Sequence, residues 1–315
     1  MSFQRSPIIV KEPAPNSAEV DIVPSGSICG VLSWSEYKQQ RRGQAMKRLS
    51  IVVAVFALLA AWQPVRAADS ILNDVLQRGT VRIAVNTGNE PRQFVDESGN
   101  LQGYDIDIAN EIGKQLGVKI EFIRTDVAGR VAMLQSHKAD ITVATFTPTL
   151  DRLKTVAFTD AYTTDVLMLM TRTNRTDLNS LKDFDKPEIK IALGRGSTAA
   201  KALAKYVPHA TVVELPGLAD IVQALDAGQI DATCSNDGLV SWTVKKSDGK
   251  YKAISETLGA PEDDSIGLPQ GDFVWWMWLN QFVHQINEDG TNYTLWMKWF
   301  GTQPPSFVKP PPKAF

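Results

Sequence analysis

Hydroxyl and guanidinium side chains are concentrated between Ala144 and Arg152, where the sequence reads Ala-Thr-Phe-Thr-Pro-Thr-Leu-Asp-Arg. The apolar run Ala139 to Val143 just before it predicts a buried strand. Thr149 is a typical helix N-cap and would place Arg152 in the first helical turn. A guanidinium fork matches a carboxylate in two places, and a helix N-terminus favours an anion. The stretch therefore predicts a carboxylate-binding site. The alternative is a capped helix with a surface arginine.

A second polar strand end follows later in the chain. The segment Lys190 to Gly194 is predicted as a strand, and Gly196-Ser197-Thr198 opens a helix from Ala199 to Tyr206. Open α/β sheets bind ligands beyond the carboxyl ends of their strands. Both polar stretches are therefore candidates for one ligand site.

Length and composition narrow the function classes. The 315 residues can form two domains, and 43% hydrophobic residues is normal for a globular protein. A net charge of −2 gives no reason to expect nucleic acid as a partner. Of the two cysteines, Cys29 and Cys234, only Cys234 lies in the expected mature protein, and a lone cysteine cannot form an internal disulfide or a zinc motif. The histidines His137, His209 and His284 lack metal-ligand spacing. No metal or other cofactor is expected.

The first 67 residues predict export. Residues 1–45 are polar and rich in proline and serine, which is typical of a disordered or untranslated extension. Met46-Lys47-Arg48, the apolar run Ile51 to Trp62 and the small residue Ala67 follow the pattern of a signal peptide, residues 46–67. Cleavage after Ala67 would release the mature protein into the periplasm. The alternative is an uncleaved membrane anchor.

Strands and helices are predicted to alternate from Ala68 onward, which favours an α/β fold with mainly parallel sheets covered by helices. The alternation occurs in two series. In each series a helix is followed by an aspartate at the start of a strand, Asp140 in the first and Asp231 in the second, which suggests two similar lobes. We expect lobe 1 to comprise residues 68–166 and 266–301, lobe 2 to comprise residues 167–265, and residues 302–315 to form an extended proline-rich tail. The predicted strands are Val81 to Asn86, Lys119 to Arg124, Asp140 to Thr145, Val166 to Met170, Lys190 to Gly194, Thr211 to Leu215, Ile230 to Ser235 and Ser265 to Pro269.

Helices are predicted between these strands and at the end of the chain. The last two helices carry Trp275, Trp276, Trp278, Trp296 and Trp299, which are expected to pack in the core. The alternative is that they stack on a ligand. The predicted helices are Gly103 to Leu116, Arg130 to His137, Ala199 to Tyr206, Ala219 to Ala227, Asp272 to Asn287 and Asn292 to Phe300.

Six motifs, in order along Ala68 to Gly301, resemble those of the family-three extracellular solute-binding proteins, the amino-acid receptors of ABC importers. The motifs are Gly103-Tyr104-Asp105-Ile106-Asp107-Ile108-Ala109, Thr147-Pro148-Thr149-Leu150-Asp151-Arg152, Phe158-Thr159-Asp160-Ala161-Tyr162, Gly196-Ser197-Thr198, Gly228-Gln229-Ile230-Asp231-Ala232 and Lys298-Trp299-Phe300-Gly301.

The resemblance implies the two-lobed periplasmic-binding-protein fold of type II, in which two hinge strands join the lobes and an amino acid lies between them. It implies that Arg152 binds the α-carboxylate of the ligand, assisted by Thr147. Thr145 would lie near the ligand's amine. Ser197 and Thr198 would be the contribution of the second lobe.

Three departures from the family pattern affect the expected ligand. Asn236, followed by Asp237, stands where the family usually has an aspartate that pairs with the ligand's ammonium group. Asn89-Glu90-Pro91-Arg92 lacks the aromatic residues that often form a stacking wall. Arg130 matches an arginine that some members with acidic or small polar ligands carry, although it could instead be a solvated helix-start residue. Glutamate or aspartate is therefore expected ahead of glutamine, cysteine and serine.

The expected function is a monomeric periplasmic receptor that closes around an amino acid and delivers it to a membrane-embedded ABC permease, without catalysis. The alternatives are an enzyme on the same fold, similar to cyclohexadienyl dehydratases, and a sensor domain. An enzyme needs an acid or base in its cleft, and Glu90 and Asp237 are the candidates.

Overall fold

The computed structural model describes residues 70–312. The predicted upstream extension and signal peptide lie outside the described residues. Within the described part of the chain, no helix combines the length and the hydropathy that crossing a bilayer requires.

The first sheet has the strand order β4-β1-β5-β12-β6. Its β4-β1 and β1-β5 pairs are parallel, whereas β12 is antiparallel to both β5 and β6. Its strands are β1 Thr80–Val85, β4 Lys119–Arg124, β5 Ile141–Thr142, β6 Ala157–Asp165 and β12 Glu262–Leu268, and a separate hairpin pairs β2 Phe94–Val95 with β3 Leu101–Gln102.

The second sheet has the strand order β11-β7-β10-β8-β9. Again two pairs are parallel, β10-β8 and β8-β9, and two are antiparallel, β11-β7 and β10-β7. Both sheets are therefore mixed, and the prediction of mainly parallel sheets was wrong in this respect. Its strands are β7 Leu167–Arg172, β8 Lys190–Gly194, β9 Thr211–Leu215, β10 Ala232–Asn236 and β11 Tyr251–Thr257.

The helices cover the faces of the two sheets. Those around the first sheet are α1 Ile71–Arg78, α2 Tyr104–Leu116, α3 Gly129–Gln135, α8 Phe273–Glu288 and α9 Thr291–Trp299, and those around the second are α4 Leu181–Phe184, α5 Ala199–Tyr206, α6 Leu218–Asp226 and α7 Asp237–Lys246. We call the two assemblies lobe 1 and lobe 2.

Helix α2 illustrates how the sequence builds these layers. Its residues Ile108 and Ile112 are one turn apart and fully buried against the first sheet. Gly117 then ends the helix in the left-handed conformation with a φ of 68°, which glycine adopts without steric cost. The predicted helix is confirmed.

The chain crosses between the sheets twice. It leaves the first sheet at Asp165 and enters the second at Leu167, and it returns between Thr257 and Glu262. The return strand begins at Glu262, so residues 262–265 pair with the first sheet although they had been assigned to lobe 2. The exact division into lobes stays a prediction.

The C-terminal helices pack on lobe 1. Trp275 is fully buried and Trp296 nearly so, and Trp276, Trp278 and Trp299 pack against the same core. The predicted packing role of these tryptophans is confirmed. Residues 302–312 form no helix or strand, but the side chain of Val308 is buried. The tail therefore lies against the lobe.

Candidate functional site

A cavity of about 330 Å³ lies between the carboxyl ends of the strands of the two lobes. Residues from both lobes and from both crossing segments line it. Among them are the predicted site residues Arg130, Thr145, Thr147, Arg152, Ser197, Thr198 and Asn236, whereas Asp237 is not among the lining residues. The structure thus brings together all but one of the predicted residues, and their role in binding stays a prediction.

Arg152 projects from a 3-10 turn, Arg152–Lys154, rather than from the predicted α-helix. Thr149 still accepts a hydrogen bond from the Arg152 backbone N–H at 3.2 Å, but the chain turns into β6 before a helix can form. The guanidinium donates to the carbonyl of Thr147 in lobe 1 at 2.7 Å and to that of Gly196 in lobe 2 at 2.9 Å. Arg152 therefore bridges the two lobes.

The guanidinium of Arg152 lies over the ring of Phe146, 4.8 Å from its centroid. Burial lowers its pKa, while the carboxylates of Glu262 and Asp264 act in the opposite direction. Because the guanidinium is partly removed from water, its ion pair with a carboxylate that reaches it is stronger than the same pair at the surface.

Arg130 is buried, and its guanidinium lies 4.5 Å from the centroid of the same Phe146 ring. Its Nε donates to the carbonyl of Val127 at 2.9 Å, and one Nη donates to the carbonyls of Ala144 and Thr145 at 2.8 and 2.7 Å. Burial, and next the charge of Arg152, lower its pKa to about 9. Arg130 is thus not solvated, and much of its donor capacity holds the backbone that shapes the site.

Thr145 has a left-handed backbone with φ 49°, which is uncommon for a β-branched residue. The carboxylate of Asp105 holds it by accepting from its backbone N–H at 3.0 Å. Its hydroxyl oxygen accepts from the amides of Asn89 and Gln93 at 3.0 and 3.1 Å. Thr145 is therefore fixed by lobe 1 alone.

Lobe 2 contributes hydroxyls at the start of α5. The buried Ser197 hydroxyl has no hydrogen-bond partner among the described residues. The Thr198 hydroxyl donates to Glu262 Oε2 at 2.6 Å, and Thr147 of lobe 1 donates to the same oxygen at 3.4 Å. One carboxylate oxygen thus connects hydroxyls of both lobes.

Asn236 and Asp237 form the start of α7. The Asn236 side chain caps the helix by accepting from the Leu239 N–H at 2.9 Å, and its amide donates to Asn89 of lobe 1 at 2.9 Å. The Asp237 carboxylate accepts from the backbone N–H of Val166 at 3.4 Å. The structure therefore uses Asn236 as a cap and Asp237 at the crossing segment, and Asp237 is not positioned as a cleft acid.

Sequence reasoning missed the acidic residues that line the cavity. Asp126 and Asp220 are exposed, whereas the two inner ones are Asp165 at the end of β6 and Glu262 at the start of β12. They lie opposite each other in the antiparallel register of the two strands that lead to the crossings. The acidic run Glu262-Asp263-Asp264 was the available signal. It gave no indication of a site because the sequence predicted that this strand begins at Ser265, three residues after its actual start at Glu262.

Behind the cavity, Arg92 is a fully buried cation among carboxylates. Its Nη1 lies 3.0 Å from Asp264 and its Nη2 lies 3.9 Å from Asp165. Burial opposes the charge of Arg92, but these carboxylates outweigh it, and the pKa of Arg92 is raised. Burial also raises the pKa of Asp165 to about 7, and that of Asp264 well above its usual range. One buried cation thus stabilises a pair of buried acids.

Several further contacts join the lobes across the cleft. Lys201 of lobe 2 pairs with Asp151 of lobe 1 at 2.5 Å, and Gly196 packs so closely on Ala128 that a Cβ atom there would lie 3.1 Å from its Cα. Together with the Arg152 and Asn236 bonds, these contacts describe a closed arrangement. Among residues 70–312, no cluster of His, Cys, Asp and Glu side chains suits a metal ion.

Comparison with curated proteins finds relatives that bind amino acids. The chain is 26% identical to the L-cystine-binding protein TcyA of Bacillus subtilis over 272 residues, covering 82% of this chain and 97% of that protein. It is 33% identical to a glutamine-binding protein of Geobacillus stearothermophilus over 165 residues, which covers 51% of this chain and 62% of that protein.

Solved structures share the fold. One is an ancestral amino-acid-binding protein described as a precursor of cyclohexadienyl dehydratase, with a TM-score of 0.69, 29% identity, and coverage of 73% of this chain and 100% of that one. Another is an ancestral arginine-binding protein bound to glutamine, with a TM-score of 0.67, 30% identity, and coverage of 71% and 99%. The predicted two-lobed fold of type II is confirmed.

The motifs of the sequence, the two mixed sheets and the cavity between them agree with a match to a known family over residues 81–302. The chain belongs to the bacterial extracellular solute-binding proteins, family 3.

Proposed function

We propose that this protein captures a polar α-amino acid between its lobes in the periplasm and delivers it to an ABC permease. The observation that carries the proposal is Arg152, a partly buried cation in the interlobe cavity that contacts the backbone of both lobes. The amino-acid ligands named for its relatives support the same class of ligand.

The size of the cavity fits a small ligand. About 330 Å³ lies at the lower end of the range for small-molecule sites. A ligand that contacts Arg152 and the hydroxyls of Ser197 and Thr198 touches both lobes, so it favours the closed form by its differential affinity. The permease would then distinguish the closed form from the open one.

The acidic preference expected from Arg130 lacks support in the geometry. Arg130 already donates to three backbone carbonyls, and the carboxylates of Asp165 and Glu262 line the same cavity. A second carboxylate on the ligand would be repelled by them. We therefore propose a ligand with a single carboxylate, such as glutamine, cysteine, serine or a basic amino acid.

A thermal-shift screen of residues 68–315 against all proteinogenic amino acids and cystine tests this function. Saturating ligand should stabilise the fold by about 2.7 kcal/mol at a hundredfold excess over Kd. D-enantiomers serve as matched controls, and they should give smaller shifts. Absence of any shift with every amino acid would contradict the proposal.

Binding without turnover is part of the proposal. Asp165 is a cavity acid with a pKa of about 7, the value that suits acid–base chemistry, so an enzyme on this fold is the second candidate. After incubation with the protein, the ligand found in the screen should be recovered unchanged by chromatography. Formation of a product, lost in Asp165→Asn, would favour the enzyme.

Export with cleavage after Ala67 is the expected fate of the precursor. The charged start at Met46, the apolar run and the small residue at the cut support this expectation. N-terminal sequencing of the periplasmic fraction should begin at Ala68. Ala67→Tyr, which places a large residue at the cut, should leave the precursor uncut. A mature chain that still carries Ile51 to Trp62 would instead indicate an anchored protein.

A further inference from the structure

We propose that Asp165 and Glu262 form the subsite for the α-ammonium group of the ligand. The inference rests on the proposed function, because it assigns the second charged group of an α-amino acid whose carboxylate binds Arg152. It locates the ammonium partner in the crossing strands rather than in the polar segments at the ends of the parallel strands.

The register of the crossing strands places the two carboxylates together. Glu262 of β12 lies directly opposite Asp165 of β6. Side chains at opposite positions of an antiparallel pair project to the same face, with Cβ atoms about 4.5–5.5 Å apart. Both residues line the cavity. Two like charges on one wall repel each other unless a cation lies between them.

The other acidic side chains of the cavity are less suitable. Asp126 and Asp220 are exposed to solvent, and Asp126 already accepts from the backbone N–H of Gly129. Asp165 is buried and Glu262 is half-buried. An ion pair gains more where water is excluded, so the inner pair is the stronger cation site.

The position of the pair relative to Arg152 suits an α-amino acid. The Thr147 carbonyl accepts from Arg152, and the Thr147 hydroxyl donates to Glu262. A cation site and an anion site therefore flank a single threonine. The ammonium nitrogen and carboxylate carbon of an α-amino acid are bonded to the same atom, so their protein partners must lie side by side in this way.

Unpartnered polar atoms in the same cavity also point to a donor-rich ligand. The Oδ1 atom of Asn86 and the hydroxyl oxygen of Thr233 have no hydrogen-bond partner among the described residues. Their residues are only 4% and 1% exposed. Buried acceptors without donors are costly, and an ammonium group brings three N–H donors.

The charges around Asp165 favour binding of a further cation beside it. Arg92 is its buried counter-ion at 3.9 Å. The charges of Asp237 and Glu262 act against the ionised form of Asp165, whereas a hydrogen bond with Asp264 favours it. Burial raises the pKa of Asp165 to about 7, so its ionised form is only weakly stabilised without a ligand. An ammonium group beside it would favour that ionised form.

The experiment compares each amino acid that stabilises the wild type with its analogue lacking the α-amino group. For Glu262→Gln and for Asp165→Asn, calorimetry should show affinity for the amino acid reduced about tenfold to a hundredfold. Affinity for the des-amino analogue should change by less than about twofold, which is much smaller than the change expected for the amino acid. Asp263→Asn, an exposed neighbour outside the cavity, should bind like the wild type.

The outcomes separate the two proposals. If the wild type binds amino acids and both variants bind them equally well, the subsite is wrong while the proposed function stands. Tighter binding by Glu262→Gln would mean that this carboxylate competes with the ligand for the threonine hydroxyls, and it would also overturn the subsite. If the wild type binds no amino acid, the proposed function fails first. Circular dichroism of each variant serves as the control that the fold is retained.

Discussion

Arg92→Met is expected to lower the free energy of unfolding by about 3–5 kcal/mol. The methionine removes the only cation within salt-bridge distance of Asp264 among the described residues and leaves the buried carboxylates of Asp165 and Asp264 facing each other. Both acids must then take up protons or lose their burial. Urea unfolding of the ligand-free protein, followed by tryptophan fluorescence, measures the change.

The double variant Arg92→Met with Asp264→Leu is the matched control. It removes one carboxylate together with the cation, so it should recover a large part of the lost stability, as apolar replacements of buried ion pairs often do. Arg195→Met, at an exposed arginine, should change stability by less than about 0.5 kcal/mol. Equal losses in the single and double variants would show that the charge of Arg92 is not the cause.

Arg152→Lys is expected to weaken amino-acid binding by about tenfold or more while the protein stays folded. A lysine ammonium is a point charge without the planar fork that binds a carboxylate in two places, and its single nitrogen cannot reproduce the geometry in which the guanidinium also donates to Thr147 and Gly196. A hydrogen bond to a charged group contributes about 1.5–3 kcal/mol. Calorimetry with the amino acid found in the screen measures the loss.

Arg195→Lys is the control for this change, because Arg195 lies next to Gly196 but is exposed and does not line the cavity. Its affinity should equal that of the wild type. Unchanged affinity in Arg152→Lys would remove Arg152 from the binding site. A loss of binding accompanied by a large fall in Tm would instead point to a structural role in closing the lobes.

The elements with strong local signals were determined by the sequence alone. Strands Lys119–Arg124, Lys190–Gly194 and Thr211–Leu215 and helix Ala199–Tyr206 agree with their predicted bounds. Lys119–Arg124 alternates polar and apolar residues, Lys190–Gly194 holds a short apolar run that ends at a glycine, and Pro216-Gly217 follows Thr211–Leu215. Local pattern and burial therefore favour the same structure.

Elements with ambiguous local signals were decided by tertiary structure. Strands β6 and β11 and helices α1 and α7 were not predicted, and the helix expected after Thr149 is a 3-10 turn. Strand β6 carries polar residues that are buried only because β12 and α8 pack on it. No local pattern reveals a partner that lies about a hundred residues away in the sequence.

The same division holds for the candidate site. The residues from Thr145 to Arg152 and from Gly196 to Thr198 could be selected from the sequence, because strand ends of an α/β fold meet at one edge. Asp165 and Glu262 could not be selected, because only the antiparallel register of the crossing strands places them opposite each other. Likewise, a buried arginine at position 92 is understandable only once Asp264 lies 3.0 Å away. Residue types therefore determined which chemistry is available, and long-range pairing decided which charges share the cavity.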